Sequence, residues 1–202
     1  MQRAPSRRRS RCSAPLAACA LVLALSSETR ARADALRAGA FEPPRAAPEL
    51  ALDGSDGGPL LLRRFQGKVV ALAFGFTSCT QVCPVTLATL AEARRKLGAH
   101  GADFQVVYVT VDPARDDRAR MRQYLAGFDP SFLGGTGSEE RLAAVRRDYG
   151  VSAEKKGSGG DYSYAHSSFV YLIDRGGRLR ALMPYGHSAD DFAHDVAILL
   201  GP

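Results

Sequence analysis

The sequence predicts an α/β fold, with a central sheet flanked by helices and a β-hairpin at its N-terminal end. Three observations carry this. Val69–Phe76 (VVALAFGF) and Phe104–Val111 (FQVVYVTV) are apolar almost throughout, as strands buried on both faces are. Each is followed by a segment with helical spacing, and such strands joined by helices imply a layered α/β domain. The turn DGSDGGP separates Glu49–Leu52 from Leu60–Leu62, the signature of a hairpin.

The remaining elements follow in order. After the first buried strand, Leu87, Leu90, Ala91, Ala93 and Leu97 can share one face of a helix. The second buried strand leads into DPARDD and a helix from about Asp117 to Leu125. Phe132-Leu133 opens a short strand. Ser138 is placed to N-cap a helix through Asp148, with Glu139 and Glu140 in its first turn. A polar, glycine-rich excursion (SAEKKGSGGDYSYAHS) precedes a third strand, Phe169–Asp174. Arg175-Gly176-Gly177 turns this strand into a hairpin partner, Leu179–Met183. Ser188–Leu200 is a final amphipathic helix.

The domain boundaries come from composition. Residues 1–33 read as an export signal: Arg3, Arg7, Arg8, Arg9 and Arg11 form a basic start. An apolar run of 12 residues, Ala14–Leu25, follows, and Ala31-Arg32-Ala33 is an A-x-A cleavage pattern. The run is short of the ~20 residues a spanning helix needs, so a cleaved signal is expected. The alternative is an uncleaved N-terminal membrane anchor. Arg8-Arg9 lacks the apolar pair of a twin-arginine signal, and Leu16-Ala17-Ala18-Cys19 falls inside the apolar run, so neither route is favoured. Residues 34–47, with Pro43 and Pro44, read as a linker, and residues 48–202 as one domain with no internal repeat.

Removing the signal changes the charge. The full chain has 27 basic and 21 acidic residues. Residues 1–33 hold seven arginines and Glu28, which leaves 20 of each sign. The basic balance thus belongs to targeting and not to a nucleic-acid surface. Cys12 and Cys19 leave with the signal as well, so Cys79 and Cys83 are the thiols of the exported protein.

Those two cysteines, in FGFTSCTQVCPVT, stand where the first buried strand gives way to a helix. Residues four apart converge on one helix face, and the positive end of a helix favours thiolate over thiol. Pro84 suits the first turn, where its missing N–H costs nothing. A dithiol at this place is where a thioredoxin-like domain carries its chemistry. The pair can close a disulfide, which an exporting compartment permits, although so short a loop would staple the fold little. With one residue more than C-x2-C, the sulfurs can also open around a soft ion. Two thiolates suit Cu(I) or Zn(II), and an imidazole adds a ligand that suits Cu(II).

Of the four histidines, His166 is the best candidate third ligand, because it lies just before the third buried strand, beside the dithiol edge of such a sheet. A lone histidine at a strand start is more often structural or solvated. His100 reads as a capping or surface residue, His187 as a turn residue and His194 as part of an amphipathic helix. Asp112 ends the second strand at the same edge and is read either as a cap of the following turn or as part of the site.

Four ordered segments, GKVVALAFGFTSCTQVCPVTL, VYVTVDPARD, GTGSEERLAAVRRDYGV and AHSSFVYLIDRGGRL, resemble the Sco/SenC family of copper-binding, thioredoxin-like assembly factors over nearly all of residues 48–200. The resemblance implies copper, as Cu(I) or Cu(II), bound by Cys79, Cys83 and His166, with Asp112 supporting the site or a partner contact. It also implies a role in delivering copper to the CuA centre of cytochrome c oxidase, or in reducing that centre's cysteines, in the periplasm or facing it from the inner membrane. The resemblance thus points first to a metallochaperone and leaves a thiol–disulfide reductase activity open beside it. A thiol–disulfide oxidoreductase or redox sensor without obligatory metal, with Cys79 and Cys83 as catalytic dithiol and disulfide, is the alternative. Thr80 and Gln81 stand where many members carry proline and an acidic residue, and Ala165 where many carry aspartate. Loop rigidity and local charge therefore differ from that pattern. A peroxidase or a pure interaction module fits the C-x3-C pair with histidine less well.

Overall fold

The computed structural model describes Met1 and residues 35–201. The expected export segment, Met1 apart, lies outside the described residues. Among those residues no helix is long and apolar enough to cross a membrane.

Among the described residues, ten strands and four α-helices follow one another: β1 (Gly39–Ala46), β2 (Leu52–Gly54), β3 (Pro59–Leu60), β4 (Val69–Gly75), α1 (Val82–Lys96), β5 (Phe104–Thr110), α2 (Arg118–Ala126), β6 (Leu133–Thr136), α3 (Glu139–Tyr149), β7 (Ala153–Lys156), β8 (Ser163–His166), β9 (Phe169–Ile173), β10 (Arg178–Pro184) and α4 (Ala189–Leu200). Eight strands form one sheet in the order β1-β10-β9-β4-β5-β6-β2-β3, and β7 and β8 form a separate pair.

The apolar runs behave as expected. Every residue of β4 and β5 is buried, and the two strands lie parallel with Val69 opposite Phe104. Alternate β4 residues serve opposite layers, as the period of two requires. Val69, Ala71 and Ala73 meet Leu87, Leu90 and Val196 of α1 and α4, while Val70, Leu72 and Phe74 meet Leu142 and Val145 of α3. The Ser138 cap falls where the sequence placed it, and Asp117 and Ser188, read there only as helix starts, are caps as well. The Ser138 hydroxyl accepts from the Arg141 N–H, Asp117 accepts from Arg120, and Ser188 with Asp191 makes a full capping box on α4. The hairpin forms with Leu52 opposite Leu60.

Two segments differ from expectation. Residues 39–46, read as linker because of their prolines, form edge strand β1 against β10, with the register shifting between Ala40 and Arg45. An edge strand needs partners on one side alone, so prolines are tolerated there. The glycine-rich excursion is also not plain loop, since its ends pair antiparallel as β7 and β8, with Ala153 opposite His166.

The topology decides what reaches the site. Strand β9 runs antiparallel to β4, so the chain enters β9 beside the end of β4. That brings the last residue of β8, His166, to the start of α1.

Candidate metal and thiol site

The chain leaves β4 through Gly75, Phe76, Thr77 and Ser78 to reach Cys79. Buried Asp116 holds this passage. Its carboxylate accepts from the Thr77 N–H at 2.9 Å, the Thr77 hydroxyl at 2.5 Å and the Thr110 hydroxyl at 2.6 Å. Arg120 of α2 adds a bond from its Nε to the Thr77 hydroxyl at 2.6 Å. A buried carboxylate satisfied in this way is costly to disturb. Asp116 went unnoticed in the sequence, where DPARDD offered two further aspartates and no periodicity to separate them.

The α1 terminus has no side-chain cap at Gln81, so its free N–H groups need other acceptors. Cys79 serves them. Burial pushes its thiol up, but hydrogen bonds from the backbone of Cys83, from the Cys83 thiol and from the backbone of Gln81 and Val82 outweigh it. The net shift is below the ordinary thiol value, as the helix-terminus argument expects.

Cys83 behaves in the opposite way. It is 2% exposed and belongs to the core packed under α1. Desolvation raises its pKa to about 12, against weaker help from Tyr108 and the Phe76 backbone. The fit around its sulfur is close: a Cβ on Gly75 would collide with the Tyr108 hydroxyl and lie 2.7 Å from the Cys83 Sγ. Glycine at 75 leaves the space that these two atoms share. Both cysteines are free thiols in this structure.

His166 meets Cys83, with Nε2 3.5 Å from Sγ. Its Nδ1 lies 3.0 Å from the Ser167 carbonyl, which can only accept, so Nδ1 carries the proton and the Nε2 lone pair faces the sulfur. Burial lowers the His166 pKa, partly opposed by the Ser167 bond. The imidazole is therefore neutral at neutral pH. Cys79 and His166 line one open cleft of about 410 Å³. Cys83 and His166 line a small recess behind it.

The three candidates are thus neighbours without being a finished cage. Among the described residues, no three His, Cys, Asp or Glu side chains gather, as they are placed, into a cluster able to hold a metal ion. Asp112 lies one step away. It is fully buried, pairs with Arg115, and accepts from the Tyr162 hydroxyl at 2.8 Å. Its backbone carbonyl also accepts from Arg115 and Asp116, so it closes the turn as well. The other histidines stand apart. His100 lies in the turn after α1, His187 pairs with Asp191 and His194 with Asp195.

Known proteins place this architecture. A copper-bound ScoI of Bradyrhizobium japonicum superimposes with a TM-score of 0.69 at 31% identity, covering 75% of this chain and 97% of that one. The apo Sco1 protein of Thermus thermophilus gives 0.69 at 35% identity, covering 82% and 94%. The mitochondrial SCO2 homolog of mouse is 38% identical over 145 residues, 69% of this chain and 56% of its own length. The chain spans less than two thirds of the length of the mitochondrial and rickettsial relatives it matches. Residues 41–201 match the family model described as SCO1/SenC, and the chain belongs to the SCO1/SenC family.

Proposed function

We propose that this is an exported copper-binding protein that delivers copper to the CuA centre during cytochrome c oxidase assembly, or maintains that centre's thiols. One observation carries the reading: free Cys79 and Cys83 at a helix start, with the unprotonated Nε2 of His166 3.5 Å from the Cys83 sulfur. Two thiolates and an imidazole suit copper in either oxidation state. The Nδ1–H bond to Ser167 is the kind of outer contact that orients a ligating histidine. Copper bound in the Bradyrhizobium relative supports the same assignment. Copper here is cargo. Side-chain rotation of Cys79 and His166 within their common cleft would bring the third donor onto the ion, and binding would release the Cys83 proton.

Reduced protein titrated with Cu(I) and Cu(II), followed by absorption and EPR, is expected to bind one copper. His166→Ala is expected to weaken binding by more than the about 10–100-fold typical of losing an outer partner. Unchanged affinity in that variant overturns the three-ligand site.

The unequal thiols support a second reading, thiol–disulfide exchange. The Cys79 thiolate would attack a client disulfide, forming a mixed disulfide and releasing one client thiolate. Cys83 would then lose its proton to solvent and attack the Cys79 sulfur. The second client thiolate leaves, so the client gains two electrons and Cys79–Cys83 becomes a disulfide. Disulfide reduction that survives in His166→Ala but not in Cys83→Ser would favour this reading over copper delivery. For export, residues 1–33 act as the signal or anchor, and N-terminal sequencing of the protein from its compartment tests cleavage after Ala33.

A further inference from the structure

The hairpin β7–β8 ends in His166 yet shares no backbone ladder with the main sheet. Beyond its short links to α3 and β9, its position depends on side chains. Ala153 and Tyr164 pack on the apolar layer, with the Tyr164 ring centroid 5.8 Å from that of Phe76, and Tyr162, just before β8, gathers the polar and cation contacts. The Arg115 guanidinium stacks 3.8 Å from the Tyr162 ring centroid and the Lys155 ammonium 3.6 Å from it. Two cations so close to one centroid must occupy opposite faces. The ring's hydroxyl donates to buried Asp112 at 2.8 Å, and Arg115 Nη1 donates to the Tyr162 carbonyl at 3.1 Å. Arg115 also pairs with Asp112 and lies 5.9 Å from the centroid of the Phe76 ring, which meets His166 edge-on at 5.9 Å.

We propose that Arg115 and Tyr162 are positioning residues, a latch that fastens the His166 hairpin to the turn after β5 and so sets where the imidazole stands relative to the two sulfurs. The physical case is one of redundancy. Tyr162 is held through its ring face, its hydroxyl and its carbonyl, and two of these holds come from one guanidinium. Arginine alone combines a planar face for stacking with several N–H donors. Asp112 anchors both members, being fully buried and shared between the Arg115 guanidinium and the Tyr162 hydroxyl. Removing the latch should free the hairpin while leaving the dithiol on its own support from Asp116 and α1.

The inference rests on His166 being a copper ligand only for its second readout. The first uses copper-free protein. Amide hydrogen exchange in Arg115→Ala is expected to speed up at least about tenfold over residues 163–166, with the amides of β4 and α1 unchanged. Because this substitution leaves Asp112 buried without its cation, Tyr162→Phe serves as the milder variant. It removes only the hydroxyl and should show the same pattern at smaller amplitude. The second readout is a double-mutant cycle on Cu(I) affinity. Arg115→Ala is expected to weaken wild type by about 10–100-fold but to have little further effect when His166→Ala is already present. Unchanged exchange in the hairpin of both variants overturns the latch. Full additivity in the cycle overturns its action through His166. If copper affinity ignores His166 while the exchange result holds, the ligand assignment fails and the latch stands.

Discussion

Two regions supply this site, and they are built by different means. The cysteines ride on the junction of β4 and α1, where every β4 residue is buried and Cys83 belongs to the core. His166 rides on β7–β8, whose residues are mostly exposed and which is tied down by Tyr162, Arg115 and Asp112. Full apolar burial holds the first region, whereas the second rests on Ala153 and Tyr164 packed at the edge of the core and on a few polar and stacking contacts. An arrangement of this kind can keep a rigid dithiol while the imidazole beside it adjusts.

Thiol chemistry gives the largest contrast. With a pKa of about 12, Cys83 is thiolate at roughly one part in ten thousand at pH 8. Cys79 sits below the ordinary thiol value. Iodoacetamide at pH 8 is therefore expected to modify Cys79 at least about tenfold faster, read by peptide mass spectrometry. Equal labelling would mean that the two sulfurs do not divide between helix terminus and core.

Core packing comes next. Leu87, on the core face of α1, is fully buried, and Leu87→Ala should cost about 2–5 kcal/mol in urea unfolding. Exposed Lys156 on β7 pairs only with its neighbour Glu154 among the contacts of that hairpin. Lys156→Ala should stay within about 0.5 kcal/mol. Comparable losses would make the hairpin part of the cooperative core.

The smallest effect is one of pH. Burial depresses the His166 pKa, so the neutral ring favours the folded state. That contribution is full above the unfolded value near 6.5 and is lost as pH falls through the lower folded value. Hairpin amide protection should decline below about pH 6.5, and His166→Gln should remove that part of the slope. A slope that survives in His166→Gln would assign the acid sensitivity to another group.

Much of the fold was legible because it rests on local pattern. The runs in β4 and β5, the periodicity of α1, the Ser138 cap and the helix starts at Asp117 and Ser188 are properties of short windows. The two edges were not. Strand β1 carries prolines that read as linker, and its pairing depends on β10, more than 130 residues away. Strands β7 and β8 lack alternating hydrophobics and are joined through glycines. Around the site, Cys79, Cys83 and His166 stood out by residue type and place. Asp116 and Tyr108 did not, because buried aspartate and core tyrosine look ordinary until their partners are known.

By itself, the sequence determined the layers, the strand-to-helix junction bearing two thiols, and the histidine positioned to meet them. Residue type and short-range spacing are sufficient for those. Only the tertiary structure decided that Cys79 is the low-pKa thiol and Cys83 the raised one. It also decided that the antiparallel course of β9 delivers His166 to the sulfurs, and that Arg115 and Tyr162 fasten its hairpin. Burial, strand direction and stacking are relations between distant segments, and no short window of a chain contains them.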